Sequence, residues 1–155
     1  MTIKALIKLM RTVELLVRDV YGIYAAIFPE SAGLWEQLAH EEEEHALLFT
    51  LMLKLTEDES IYFENIDDTA DATNRLIKSL QKLIANIRDK KGNISLYKAL
   101  KSALDIEVTA GEQEQFRGLK TSSDSLRSYM NRIAAANRAH IQLITDELKK
   151  HETPI

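Results

Sequence analysis

The sequence predicts an all-α fold, and three observations carry the prediction. Five glycines and two prolines are all that punctuate 155 residues, so structure breakers are sparse. Between them, apolar residues recur at steps of three and four, the period of one helix face, rather than alternating as in a half-buried strand. The length and an ordinary composition, 45% hydrophobic and 28% charged, suit a single domain spanning residues 1–155 around one core.

The first helix is expected from about Ile3 to Phe28, with Val13, Val17, Val20, Tyr21, Tyr24 and Phe28 along one side. Pro29 stops it, because the residue before a proline is disfavoured in helical geometry. Ser31 is placed to cap the second helix, which carries Leu34, Trp35, Leu38, Glu42, His45, Phe49 and Met52 and fades near Thr56. A connection this short makes the two helices antiparallel neighbours. From Glu57 to about Asp68 the chain turns acidic and loses its period, so a loop is expected. A third helix, roughly Thr69 to Lys90, has Leu76, Leu80, Leu83, Ile84 and Ile87 apolar and a packing role.

Lys90-Lys91-Gly92-Asn93 forms a helix stop and a new cap. It opens a helix from about Ile94 to Arg117, with Leu100, Leu104, Glu107, Gly111 and Glu114 on one stripe and Gly118 ending it. Thr121-Ser122-Ser123-Asp124 offers caps for the last helix. Its stripe of Leu126, Met130, Ile133, Asn137, His140, Ile144 and Leu148 is polar only at Asn137 and His140.

Charge and composition exclude several function classes. A net charge of -4 without a basic cluster argues against nucleic acid, whose phosphates demand concentrated Lys and Arg. No apolar run is long enough to span a membrane, and Met1-Thr2-Ile3-Lys4 opens no signal-peptide pattern, so a cytoplasmic location is expected. The chain has no cysteine; any metal must therefore be held by oxygen and nitrogen.

The stretch Leu38-Ala39-His40-Glu41-Glu42-Glu43-Glu44-His45 carries the chemistry. Glu42 and His45 share the stripe of Leu38, Phe49 and Met52, so a carboxylate and an imidazole point inward. Burying them is costly unless a charge or hydrogen bond meets them. Glu41, Glu43 and Glu44 form a solvated charge run and His40 lies on the surface, since a helix cannot aim four successive residues inward. Taken alone, Glu42 and His45 would be an ion pair. Three other helices, however, add inward polar groups: Glu14, Glu107, and Asn137 with His140. Oxygen ligands with imidazole suit iron, manganese or zinc. Tyr21, Tyr24 and Trp35 are expected to pack, with their polar ends partnered.

These residues resemble the rubrerythrin and ferritin-like superfamily, whose four-helix bundles hold two irons with a Glu from each of two helices and a Glu-x-x-His from each of the other two. Glu14 with Tyr21, Trp35 to Ala46, Ala99 to Glu107, and Asn137-Arg138-Ala139-His140 match its four elements in order and spacing. The resemblance implies a ferritin-like antiparallel four-helix bundle with an additional helix in the crossover between the second and third bundle helices. It assigns Glu14, Glu42, His45, Glu107, Asn137 and His140 to the metal and puts Tyr21 beside it as a catalytic residue. It also implies oxidation of ferrous iron by peroxide or oxygen. Bundles of this kind often pair through spare helix faces, so a homodimer is expected. Rubrerythrins proper add an iron-thiolate module; without cysteine, electrons would come from a separate donor.

Asn137 departs from the family pattern, which has a bridging glutamate there. Glu14, Glu42 and Glu107 supply three negative charges against the four positive charges of two divalent ions. Three outcomes stay open: a weakened dinuclear site, one metal near Glu14, Glu42 and His45, or no metal. Glu112 or Glu114 could restore the missing charge in a shifted helix. The competing functional class is a non-enzymatic bundle with a degenerate site that serves assembly or partner binding; a metal-sensing or storage accessory is a third.

Overall fold

The computed structural model describes residues 1–56, 61–90, 93–111 and 118–152. Among them lie five α-helices: α1 (Ile3–Ile27), α2 (Ala32–Leu55), α3 (Ile66–Asp89), α4 (Leu96–Ala110) and α5 (Asp124–His151). Two short strands, β1 (Ile61–Phe63) and β2 (Leu119–Thr121), accompany them. The described residues are all-α apart from this ribbon.

Local chemistry sets the helix ends. The Thr2 hydroxyl accepts the Ala5 N–H at 3.1 Å and starts α1. Pro29 ends it by displacing Phe28 to φ -117°, ψ 77°. A 3-10 turn, Pro29–Ser31, leads straight into α2. Ser31 makes no side-chain cap, contrary to the sequence expectation. Its hydroxyl instead accepts the Trp35 indole N–H at 3.1 Å, because that indole is fully buried and needs an acceptor. Contacts between α1 and α2 run in opposite senses along the two helices, through Arg11–Thr50, Glu14–His45, Arg18–Glu43 and Tyr24–Trp35. The pair is antiparallel, as its short connection requires.

Three further boundaries differ from expectation. The described part of the acidic segment holds β1 and the first turn of α3, which begins at Ile66 rather than Thr69. A three-residue strand is too short to show a period, and Asn65, at φ 54°, makes the turn into α3. The fourth helix starts at Leu96, because Ser95 rather than Asn93 supplies the cap and accepts the Lys98 N–H at 3.1 Å. It ends at Ala110 with Gly111 as its C-cap; the expected extension over residues 112–117 lies outside the described residues. Ser123 caps α5 through the Leu126 N–H.

β1 and β2 pair antiparallel, Tyr62 opposite Lys120. Gly118 makes that approach feasible: a Cβ there would stand 2.4 Å from the Glu64 carbonyl oxygen, well inside contact distance. The Glu64 N–H donates to the Gly118 carbonyl at 2.8 Å. The ribbon ties the segment after α2 to the segment before α5.

Helix α3 lies along α1, α4 lies against α5, and α5 also meets α2. The apolar interior has two compartments. One gathers Val13, Val17, Tyr21, Trp35, Leu38, Leu100 and Ile144. The other gathers Leu6, Met10, Phe49, Met52, Leu126 and Ile133. On α2 and α5 the change of compartment falls at Glu42 and His45 and at Asn137 and His140; on α1 it falls between Met10 and Val13, next to Glu14. A polar layer thus divides the core. Among the described residues, no helix is long and apolar enough to cross a membrane.

Candidate metal centre

Each polar side chain in this layer is carried inward by the apolar stripe on which it sits. Glu14 lies between Val13 and Val17 on α1, Glu42 and His45 between Leu38 and Phe49 on α2, and Glu107 beside Ala103 and Ala110 on α4. Asn137 and His140 lie between Ile133 and Ile144 on α5. All six are at most 3% exposed, and Tyr21 is fully buried beside them. The residues singled out from the sequence therefore converge from four helices.

They form two groups that share Glu42: Glu14, Glu42 and His45, and Glu42, Glu107 and His140. In the first group His45 Nδ1 stands 3.1 Å from Glu42 Oε2 and 3.5 Å from Glu14 Oε2. In the second, His140 Nδ1 stands 3.0 Å from Glu42 Oε1 and 3.6 Å from Glu107 Oε1. Glu42 thus faces each group with a different oxygen. The two imidazoles stack at 5.5 Å.

These separations can be compared with the edges of a coordination polyhedron. Donors about 2.1 Å from one ion are about 3.0 Å apart at a right angle and about 3.4 Å apart at the tetrahedral angle. The observed distances, 3.0 to 3.6 Å, fall around those values. Glu14 Oε1 is buried and has no hydrogen-bond partner among the described residues, an expensive state for a carboxyl oxygen. His140 Nδ1 is likewise buried, 3.0 Å from Glu42 Oε1 and 3.6 Å from Glu107 Oε1. Both atoms, and the oxygen and nitrogen donor set, fit a divalent transition metal.

Without an ion, protons compensate the charges. Burial and the charge of Glu42 hold the Glu14 carboxyl well above the usual carboxylate range. Burial opposes charge on His140, but hydrogen bonds and attraction from Glu107 and Glu42 overcome it and push its pKa up to about 11. Burial raises Glu107 too, yet hydrogen bonds and charge from His140, with the Tyr21 hydroxyl, bring it below the usual range. A protonated His140 among carboxylates is the metal-free arrangement.

Three side chains orient these groups from outside. The Tyr21 hydroxyl donates to Glu107 Oε1 at 2.5 Å. The Asn137 amide donates to Glu107 Oε2 at 2.7 Å and, more weakly, to the Glu107 carbonyl at 3.4 Å. Glu41 Oε2 lies 2.9 Å from His140 Nε2. Glu41 is a correction to the sequence expectation: with its side chain 34% exposed it leaves the solvated run to meet α5. Glu43 and Glu44 stay exposed, as does His40, which pairs with Glu44. The available signal was that His140 has two ring nitrogens, both needing partners once buried. Glu112 and Glu114 lie outside the described residues. No family model, no curated protein and no solved structure matches this chain.

Proposed function

We propose that the chain binds two divalent transition-metal ions, one in each three-residue group, with Glu42 between them. The observation that carries this reading is the division of Glu42, one oxygen toward His45 and the other toward His140. Glu14, Glu42, His45, Glu107 and His140 would hold the ions, and Asn137 would orient Glu107 rather than bridge. The matching order and spacing of four helical elements support a ferritin-like bundle of α1, α2, α4 and α5, with α3 in the crossover. The same resemblance favours iron over manganese or zinc.

Iron held by Glu14, Glu42, His45, Glu107 and His140 would supply the two electrons that reduction of peroxide to water requires. The chain's own residues do the rest. Apolar compartments on both sides exclude bulk water from the layer, and Tyr21 with Asn137 fixes the Glu107 carboxylate. The 155 residues contain no cysteine, so re-reduction calls for a separate electron donor. We place the protein as a peroxide- or oxygen-dependent ferrous oxidase that works as a homodimer in the cytoplasm.

One observation favours a second reading. The metal-free charges already compensate one another through the His140 cation, and Asn137 spends its donor on Glu107. A bundle that has lost its metal and serves assembly or partner binding would look like this. The deciding experiment is metal content per chain after anaerobic loading with ferrous iron, followed by peroxide consumption. Two irons per chain and turnover support the first reading; no iron sinks it.

A further inference from the structure

We infer that Tyr21, Trp35 and Tyr24 form an electron relay that clears oxidising equivalents from the polar layer: Tyr21 holds the radical, and a small enediol-type reductant refills it from the surface. The use of the relay rests on the metal-binding reading above, whereas the relay itself belongs to the metal-free chain. Peroxide that receives one electron instead of two splits into hydroxide and hydroxyl radical. A centre holding a single ferrous ion, an outcome left open by the charge count, has only one to give.

The three rings make one path. Tyr21 touches the layer, its hydroxyl donating to Glu107 Oε1 at 2.5 Å. Its ring centroid lies 5.7 Å from that of Trp35, which in turn lies 4.9 Å from that of Tyr24, and both separations are those of rings in contact. The Tyr24 hydroxyl meets Ser102 on α4. Ser102 is half-buried and lines an open groove between α3 and α4. Electron transfer weakens steeply with distance, so rings in contact are its best carriers. All three rings are at most 1% exposed, and no reductant reaches Tyr21 directly. Among the described residues, every ring pair other than the two histidines belongs to this path or joins Phe28 to its end.

Hydrogen-bond partners decide which ring holds the radical. A phenol becomes strongly acidic once oxidised, and Tyr21 alone has a carboxylate oxygen in line to receive its proton. Hydroxyl radical takes one electron from Tyr21 and becomes hydroxide, while the hydroxyl proton passes to Glu107 Oε1 and a neutral phenoxyl radical remains. One electron from the reductant, passed through Tyr24 and Trp35, then reduces Tyr21, and the proton returns. Trp35 donates its N–H to Ser31 Oγ at 3.1 Å, and Tyr24 faces another hydroxyl. Neither neighbour is a base, so these two rings pass the electron on without keeping the radical.

The test is laser photolysis of the metal-free chain with light that tryptophan alone absorbs, the ejected electron being removed by a scavenger. Trp35, the only tryptophan, is left one electron short. In wild type the indole radical decays as a phenoxyl radical grows at the same rate, and added ascorbate then removes the phenoxyl signal. Tyr21→Phe abolishes the phenoxyl growth. Tyr24→Phe keeps the growth and loses the quenching by ascorbate, and melting curves show that both variants fold. Growth unchanged in Tyr21→Phe, or quenching unchanged in Tyr24→Phe, overturns the relay. No ion takes part in this measurement, so that failure is separate from a failure to bind iron. A chain that takes up no iron overturns the relay's use together with the metal-binding reading, whatever the photolysis shows.

Discussion

Asn137 and Glu107 face each other across the α4–α5 contact, the amide nitrogen of one donating to Oε2 of the other at 2.7 Å. Both side chains are buried, so the amide satisfies one oxygen of Glu107, whose carboxyl is held below its usual range, against the cost of burial, by His140 and the Tyr21 hydroxyl. Replacing it inverts that relationship. In Asn137→Glu the metal-free chain holds two carboxyl groups in contact, and an uncompensated buried charge costs about 3–5 kcal/mol. The thermal midpoint of the metal-free variant is expected to fall by roughly 6–20 °C, at about 2–4 °C per kcal/mol for a chain of this size. Ferrous iron should reverse the loss, because ions that bind only the folded state stabilise it by mass action. Melting curves with and without iron check this; a variant as stable as wild type without iron would show that the amide is not holding Glu107.

Metal binding should release protons. His140, with its pKa pushed up to about 11, is protonated at neutral pH, and an ion bound at Nδ1 displaces that proton. Glu14, held above the usual range, retains its own to higher pH than an ordinary carboxyl. The metal-bound form carries fewer protons, so affinity rises with pH, up to tenfold per unit for each proton displaced. Calorimetry in buffers of different ionisation heat counts the protons. A pH-independent affinity would remove His140 from the ligand set.

The metal-free fold should have its own pH signature. His140 binds its proton more tightly in the folded chain than at its ordinary value of 6.5. Its contribution is therefore complete below about pH 6.5 and is lost as pH rises toward about 11. Urea midpoints of the metal-free chain are expected to decline over that window, and His140→Gln should flatten the decline. Glu107 acts in the opposite direction: held below its usual range, it contributes stability above that range which is lost on acidification.

Tyr21→Phe removes the hydroxyl that donates to Glu107 while leaving the ring tilted against Trp35, centroids 5.7 Å apart. Hydrogen bonds to charged groups contribute about 1.5–3 kcal/mol. The metal-free variant should lose stability in that range, and its loss should shrink as Glu107 is protonated by acid. Denaturation at neutral and acid pH separates this from a loss of packing, which would not depend on pH.

Ser31→Ala tests a hydrogen bond rather than a helix cap. The buried Trp35 indole N–H would lose its acceptor, at a cost of about 1–3 kcal/mol for an unsatisfied buried donor. Ser31→Thr, which keeps the hydroxyl, should recover most of it. An unchanged denaturation midpoint in the alanine variant would mean that the indole has found another acceptor.

The helical class and the burial of the polar layer were legible in the sequence because a carboxylate or imidazole on an apolar 3.6-residue stripe has no other place to point. Glu14, Glu42, His45, Glu107, Asn137 and His140 all gave that signal. Glu41 did not, since one residue's rotation from Glu42 carries it off the stripe, and four successive glutamates hide which one turns toward a neighbour. The ribbon was hidden for a different reason. Its strands are three residues each, and their pairing joins Ile61–Phe63 to Leu119–Thr121, far apart in the chain. Helix ends were displaced where several polar residues competed, as Ser95 did with Asn93, because the successful cap depends on which hydroxyl reaches an N–H.

The polar layer between two apolar compartments also acts as an index mark for the helices. A slip of α5 along α2 by one turn, about 5.4 Å, would bring Ile144 opposite Glu42 and leave His140 among hydrocarbon. Purely apolar interfaces tolerate such sliding, because one leucine substitutes for another, whereas a buried ionic layer has only one alignment in which its charges meet. The same residues that can receive a metal therefore set the axial alignment of the helices, so a chain stripped of both charge and metal at this level would be expected to remain helical and lose its single alignment.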